Sequence, residues 1–206
     1  PNIELMRGEA RFEDAHTLVV TDVAGSTKTL RPDRILVAAG ASPVVPPVPG
    51  LAETPYWTST EALVAQIIPE HLVVLGGSVV ALELAQAFLR LGAKVTLMAR
   101  STLLSKADPA LGEGLVAAFE EEGAEVRLQS VPDFVRHDGA RFILSTANGE
   151  LHCDQLLVAT GRSPNTDALD LDKVGVERRD NGAIVVDAHM RTSAEHIYAA
   201  GDCTDQ

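Results

Sequence analysis

The chain has 206 residues, 46% of them hydrophobic and 22% charged, so it can build a packed core and is not disordered throughout. Its 17 Lys and Arg stand against 29 Asp and Glu, a formal charge of −12, which makes nucleic acid and anionic membrane poor partners. Two widely separated cysteines, Cys153 and Cys203, exclude a disulfide framework and argue against a metal cluster, and no apolar run reaches the roughly 20 residues of a bilayer span.

With no secretory apolar region either, a cytoplasmic protein is expected; the chain begins at Pro1, without an initiator Met. Residues 1–40 read as strands, with short β-branched runs at Glu9–Phe12 and Thr17–Thr21, a turn at Gly25-Ser26, then Leu30 and the apolar run Ile35–Ala39 ending at Gly40. Pro43, Pro46, Pro47, Pro49 and Gly50 break regular structure and read as a linker between domains. A short helix is expected from Ser59 or Thr60, behind a hydroxyl cap.

The clearest unit follows. Leu72–Leu75 is the continuous apolar run of a strand buried on both faces. A Gly76-Gly77-Ser78 turn opens a helix from Val79 to Leu91 that stops at Gly92, and Lys94–Met98 is a second strand: a βαβ unit. A further helix is expected behind Asp108 and Pro109, with an apolar stripe of Leu111, Leu115, Ala118 and Phe119 and a stop at Gly123. Val126–Leu128 is a third parallel strand, and residues 134–158 read as a three-stranded antiparallel meander with turns at Asp138-Gly139 and Asn148-Gly149.

Residues 30–43 repeat in 151–164, with eight of 14 positions identical. Each copy ends an apolar strand in a glycine turn, as in dinucleotide-binding domains, where such a strand follows a βαβ unit. The second copy has that unit upstream and the first does not, so its counterpart is expected before Pro1. The fold class is α/β, with a Rossmann-like nucleotide-binding domain, an antiparallel meander and part of a second, related domain.

The turn Gly76, Gly77, Ser78, Val79, Val80, Ala81 has the spacing G-x-S-x-x-A, one step from the dinucleotide fingerprint. Ser78 replaces the glycine that lets backbone approach pyrophosphate, and its hydroxyl is expected to donate to phosphate. No carboxylate stands at the end of the second strand, where NAD would need one for its ribose; Arg100 follows it and Lys106 lies close behind. That pattern favours the 2′-phosphate of NADPH. Glu83, Gln86 and Arg90 share a helical stripe, which is either a solvated face or, at Glu83, a group facing the nicotinamide.

Gly8-Glu9-Ala10, the strand ending at Gly40, Ala159-Thr160-Gly161-Arg162 and Ile197–Asp202 together resemble the glutathione reductase and lipoamide dehydrogenase superfamily of FAD- and NAD(P)H-dependent disulfide oxidoreductases. Pro55–Thr60, Gly77–Glu83, Met190–Ser193 and Gly201–Gln206 resemble its mercuric reductase branch in particular, as does Val79, where many relatives carry a tyrosine. The resemblance implies a fragment divided into 1–52 (FAD-binding segment), 53–161 (NADPH-binding domain) and 162–206 (returning FAD-binding segment). It implies that Ala10 and Asp202 contact FAD, that Glu83, Gly161 and Arg162 lie toward the nicotinamide, and that Arg100 and Lys106 hold the 2′-phosphate. The full-length enzyme would be a homodimer that reduces Hg(II) thiolate to Hg(0) through a redox cysteine pair. No CxxxxC pair occurs here, so no catalytic residue and no metal ligand is assigned. A dihydrolipoamide dehydrogenase or glutathione reductase-like fragment, or a standalone nucleotide-binding module without catalysis, are the alternatives.

Overall fold

The computed structural model describes residues 3–206. In chain order its elements are β1 Glu9–Asp14, β2 Thr17–Thr21, β3 Thr27–Leu30, β4 Ile35–Val37, β5 Ala41–Pro43, α1 Ser59–Leu63, β6 His71–Leu75, α2 Val79–Arg90, β7 Lys94–Met98, α3 Pro109–Glu121, β8 Glu125–Arg127, β9 Phe134–His137, β10 Phe142–Thr146, β11 Gly149–Cys153, β12 Gln155–Val158, β13 Arg162–Pro164 and β14 Ile197–Ala199. They form two units, one from residues 1–42 with 162–206 and the other from 43–161.

In the unit 43–161, β12, β6, β7 and β8 lie side by side in that order, all parallel. Alternate residues serve opposite faces of the sheet. Leu72, Val74, Val95 and Leu97 pack with Ala81, Leu82, Ala85 and Phe88 of α2 and Phe119 of α3. Val73, Leu75, Met98, Leu156 and Val158 pack with Val135, Phe142, Leu144 and Leu151 of the antiparallel sheet β11-β10-β9. Both faces are covered, which is why the strands carry no polar alternation. Beyond β12, Trp57 adds one parallel bridge: its N–H donates to Leu156 (2.8 Å) and its carbonyl accepts from Val158 (2.7 Å).

The caps are local. Thr58 and Glu61 form a reciprocal capping box on α1, and Asp108 caps α3 by accepting from Ala110 N–H at 2.9 Å with Pro109 in the first turn. Gln86 and Arg90 of α2 both donate to Glu122 at the end of α3, with Arg90 bidentate at 2.7 and 2.9 Å. That guanidinium holds Glu122 below the usual carboxylate range.

Three expectations are corrected here. The buried stripe of α3 is Gly112 and Phe119, flanked by half-buried Leu115 and Val116, while Leu111 is 57% exposed and Ala118 is also exposed. A Cβ at Gly112 would fall within 3.0 Å of the Leu103 carbonyl oxygen, so the helix turns its glycine, not Leu111, toward that backbone. The meander ends at Cys153, and Gln155–Val158 belong to the parallel sheet. Asp154 makes the switch: its carboxylate accepts from His71 N–H at 2.8 Å and its own N–H donates to the His71 carbonyl at 3.1 Å. Residues 43–52, read as the end of the first segment, pack in the second unit. Val48 and Leu51 join the core under the antiparallel sheet, and Val135 N–H donates to Pro49 at 2.9 Å.

The unit 1–42 with 162–206 holds the antiparallel sheet β1-β2-β3, the parallel pair β14-β4 and the ribbon β13-β5. Phe12, Ile35, Val37, Leu171, Ile184, Ile197 and Cys203 form its core. His16 stacks on His196 with ring centroids 4.2 Å apart. Both copies of the repeat give strand, glycine turn and strand, with positive φ at Gly40 and Gly161. Their environments differ. Leu157 is fully buried under the helices of its unit, whereas Leu36 at the same repeat position is 64% exposed.

Candidate functional site

Because β12, β6, β7 and β8 run parallel, their carboxyl ends share one edge, and the turns leaving them converge there. Gly76 sits at φ +136°, donates to Met98 at 2.9 Å, and has no room for a side chain: a Cβ would lie within 3.0 Å of the Ala159 carbonyl oxygen. Leu104 N–H donates to the Gly77 carbonyl at 2.8 Å, so the loop that follows β7 folds against the turn.

Ser78 caps α2 by accepting from Ala81 N–H at 3.2 Å, and its hydroxyl donates to the Ala159 carbonyl at 2.8 Å. A hydroxyl has one proton. Ser78 therefore does not offer a side-chain donor to phosphate, contrary to the expectation from sequence; the side chain turns inward to Ala159 and leaves the outer side of the loop to backbone. Among the described residues, the N–H groups of Gly77, Ser78, Val79 and Val80 find no protein acceptor. Four unpaired donors at the positive end of a 12-residue helix suit an anion.

The rim is set by the loops that follow β7 and β8. Arg100 and Lys106, on the loop after β7, are exposed and form no ion pair among the described residues. Ala99 N–H donates to Arg127 at 3.0 Å, Ser130 N–H to Ala99 at 2.9 Å and Gln129 N–H to Ser101 at 3.3 Å, which ties the turn after β8 to the residues on either side of Arg100. The helical stripe divides. Gln86 and Arg90 are held by Glu122, while Glu83 is exposed and unpaired among the described residues; Val79, at the head of the same helix, is 56% exposed.

Gly161, at φ +156°, accepts from Val44 N–H at 3.0 Å. Arg162, expected toward the nicotinamide, is engaged within the other unit: its guanidinium donates to the Ala41 carbonyl and pairs with Asp202 at 3.5 Å. Asp202 stays 64% exposed, so the pair leaves part of its carboxylate accessible. Ala10 is exposed on β1, opposite Val20.

Both cysteines are buried and free. Burial pushes the Cys153 thiol up to about 12, and Cys203 donates to the Ala200 carbonyl at 3.3 Å. Cys153 is therefore held as the neutral thiol. No cluster of three metal-ligating side chains occurs among the described residues. Nothing in the residue pattern marks Gln129 or Leu104 at this rim, because both hold positive φ without being glycine.

The model of one protein family, described as pyridine nucleotide-disulphide oxidoreductase, matches residues 2–206. The chain belongs to that family. Among its oxidoreductase relatives, the mercuric reductase of Shigella flexneri is 59% identical over 210 residues, covering 100% of this chain and 37% of the relative. The mercuric reductase of Acidithiobacillus ferrooxidans is 56% identical over 206 residues, covering 100% and 38%. The Cu(II) complex of the HOCl-induced flavoprotein disulfide reductase RclA from Escherichia coli superposes with a TM-score of 0.91 at 31% identity, over 100% of this chain and 47% of that one. An engineered water-forming NADPH oxidase bound to NADPH superposes with a TM-score of 0.80 at 26% identity, over 95% and 45%. The chain thus spans 37% and 38% of the two mercuric reductases and 47% and 45% of the two solved chains.

Proposed function

We propose that this chain is the pyridine-nucleotide segment, with parts of the flavin segment, of an enzyme that uses NADPH and FAD to reduce Hg(II) thiolate to Hg(0). The observation that carries the nucleotide reading is a turn at Gly76 that excludes a Cβ, with a cation rather than a carboxylate just past β7. The mercury reading is supported by the relatives at 59% and 56% identity.

In this reading the unit 43–161 binds NADPH. The N–H groups of Gly77, Ser78, Val79 and Val80 receive the pyrophosphate, Ala81 lets α2 pack close to the sheet, and Arg100 and Lys106 grip the 2′-phosphate. Glu83 and Gly161 lie toward the nicotinamide end. Ala10 and Asp202 contact FAD, and Arg162 acts through Asp202 by holding its carboxylate. When bound, NADPH supplies the hydride and FAD passes its electron pair on toward the metal substrate. The residues of this chain bind and orient those groups; the cysteine pair that would hold Hg(II) is assigned to the remainder of a longer, homodimeric polypeptide.

Calorimetric titration of the chain with NADPH and NADH tests the reading. NADPH binds more tightly, and the double variant R100A/K106A brings the two affinities together. Tighter binding of NADH to the unaltered chain overturns the assignment.

A further inference from the structure

We propose that Gln129 reads the adenine base of the bound dinucleotide. The inference rests on the NADPH reading above and extends it to a position that no glycine motif or charge pattern marks.

Among the described residues, four that are not glycine hold positive φ: Leu104, Gln129, Asp170 and Met190. Asp170 is tied by ion pairs to Arg11 and Lys173, and Met190 closes a turn onto Asp187. The other two lie on the loops that rim the carboxyl edge of the parallel sheet. Leu104 has a partner there, since its N–H donates to Gly77. Gln129 is held at φ +50° by backbone only, through Ser101 and through Ser130 bonded to Ala99. Its side chain is exposed and makes no hydrogen bond among the described residues. A left-handed position favours Gly or Asn, so a glutamine there is unfavourable for the turn itself. Strain of this kind collects where a side chain serves a ligand.

The strand order says which part of the ligand is near. With pyrophosphate at the β6 turn, the adenosine half extends over β7 and β8, ribose phosphate at the end of β7 and base beyond it. Gln129 stands at the end of β8, bonded to the residue next to Arg100. A carboxamide both donates and accepts, which matches the N6 amino group and N7 of adenine as a bidentate pair. Leu128, 37% exposed, offers an apolar surface to the ring.

The test compares NADPH with its hypoxanthine analogue, in which an oxo group replaces the N6 amine, by calorimetry on the full chain. The unaltered chain should favour NADPH by roughly five- to tenfold, the low end for one bidentate pair at an exposed site. Q129A should bind both at the weaker affinity while still preferring NADPH to NADH. Q129G relieves the backbone, so it should lose the same discrimination with an unfolding midpoint at or above that of the parent, which separates loss of the contact from loss of the fold. Retained discrimination in Q129A, or none in the unaltered chain, overturns the proposal. Preference for NADH with adenine discrimination intact overturns the 2′-phosphate reading alone, and absence of any dinucleotide binding overturns both.

Discussion

Gly76→Ala tests the geometry on which the nucleotide crevice depends. At φ +136°, outside the regions an L-residue readily adopts, an alanine carries a backbone penalty of about 1–3 kcal/mol. Its Cβ would also fall inside 3.0 Å of the Ala159 carbonyl oxygen, which is backbone and cannot swing away. Ala159 is fixed from both sides, by its N–H to Leu75 at 2.9 Å and by the Ser78 hydroxyl at 2.8 Å on its carbonyl. Moving it weakens at least one of these bonds, a further ~1 kcal/mol. The expected loss is about 2–4 kcal/mol, a large part of the ~5–15 kcal/mol that stabilises an ordinary domain. Urea unfolding followed by fluorescence measures it, because the single Trp57 packs against Phe88 within the same unit. Gly114→Ala is the control: that glycine lies inside α3 with open space around it, and alanine there should stabilise by up to ~1 kcal/mol. If G76A unfolds within about 0.5 kcal/mol of the parent, the steric argument for this turn is wrong.

Two further outcomes follow from hydrogen bonding and burial. Ser78→Gly, which restores the missing glycine of the fingerprint, should lower stability modestly through loss of the cap and of the bond to Ala159, yet leave NADPH affinity within a few-fold of the parent; a loss near a hundredfold in titration would show that the hydroxyl does contact phosphate. Burial, helped by the nearby Lys94 charge, lowers the His71 pKa below its ordinary 6.5. The unfolded chain then binds a proton that the folded unit resists, so stability is fully present above 6.5 and declines as pH falls from there toward the folded value. Urea midpoints between pH 7.5 and 5 should show the decline, while the carboxylates with lowered pKa values, such as Glu125, act only in more acid solution. An identical decline in His71→Asn would refute the assignment to His71.

What could be read from the chain alone was local. The run Leu72–Leu75, the turn at Gly76 and the helix stop at Gly92 specify a βαβ unit, and the second strand spans Lys94–Met98 as expected, because a strand buried on both faces must be continuously apolar. Asp108 and Pro109 likewise announce the start of α3, since capping needs only neighbours. The family was legible too, through short motifs spread along the whole chain. Tertiary structure alone decided which way α3 faces, because the Leu103 carbonyl, not helix periodicity, selects Gly112 for the interior. It decided that Asp154 ends the meander by bonding to His71, and that Ser78 turns to Ala159, 81 residues away. It also paired Arg162 with Asp202 and placed Gln129 in a left-handed turn beside Arg100. Apart from Leu103 and Gly112, which are close in sequence, the partner in each of these cases is remote. A side chain's direction then depends on backbone groups that become its neighbours only once the sheet has formed.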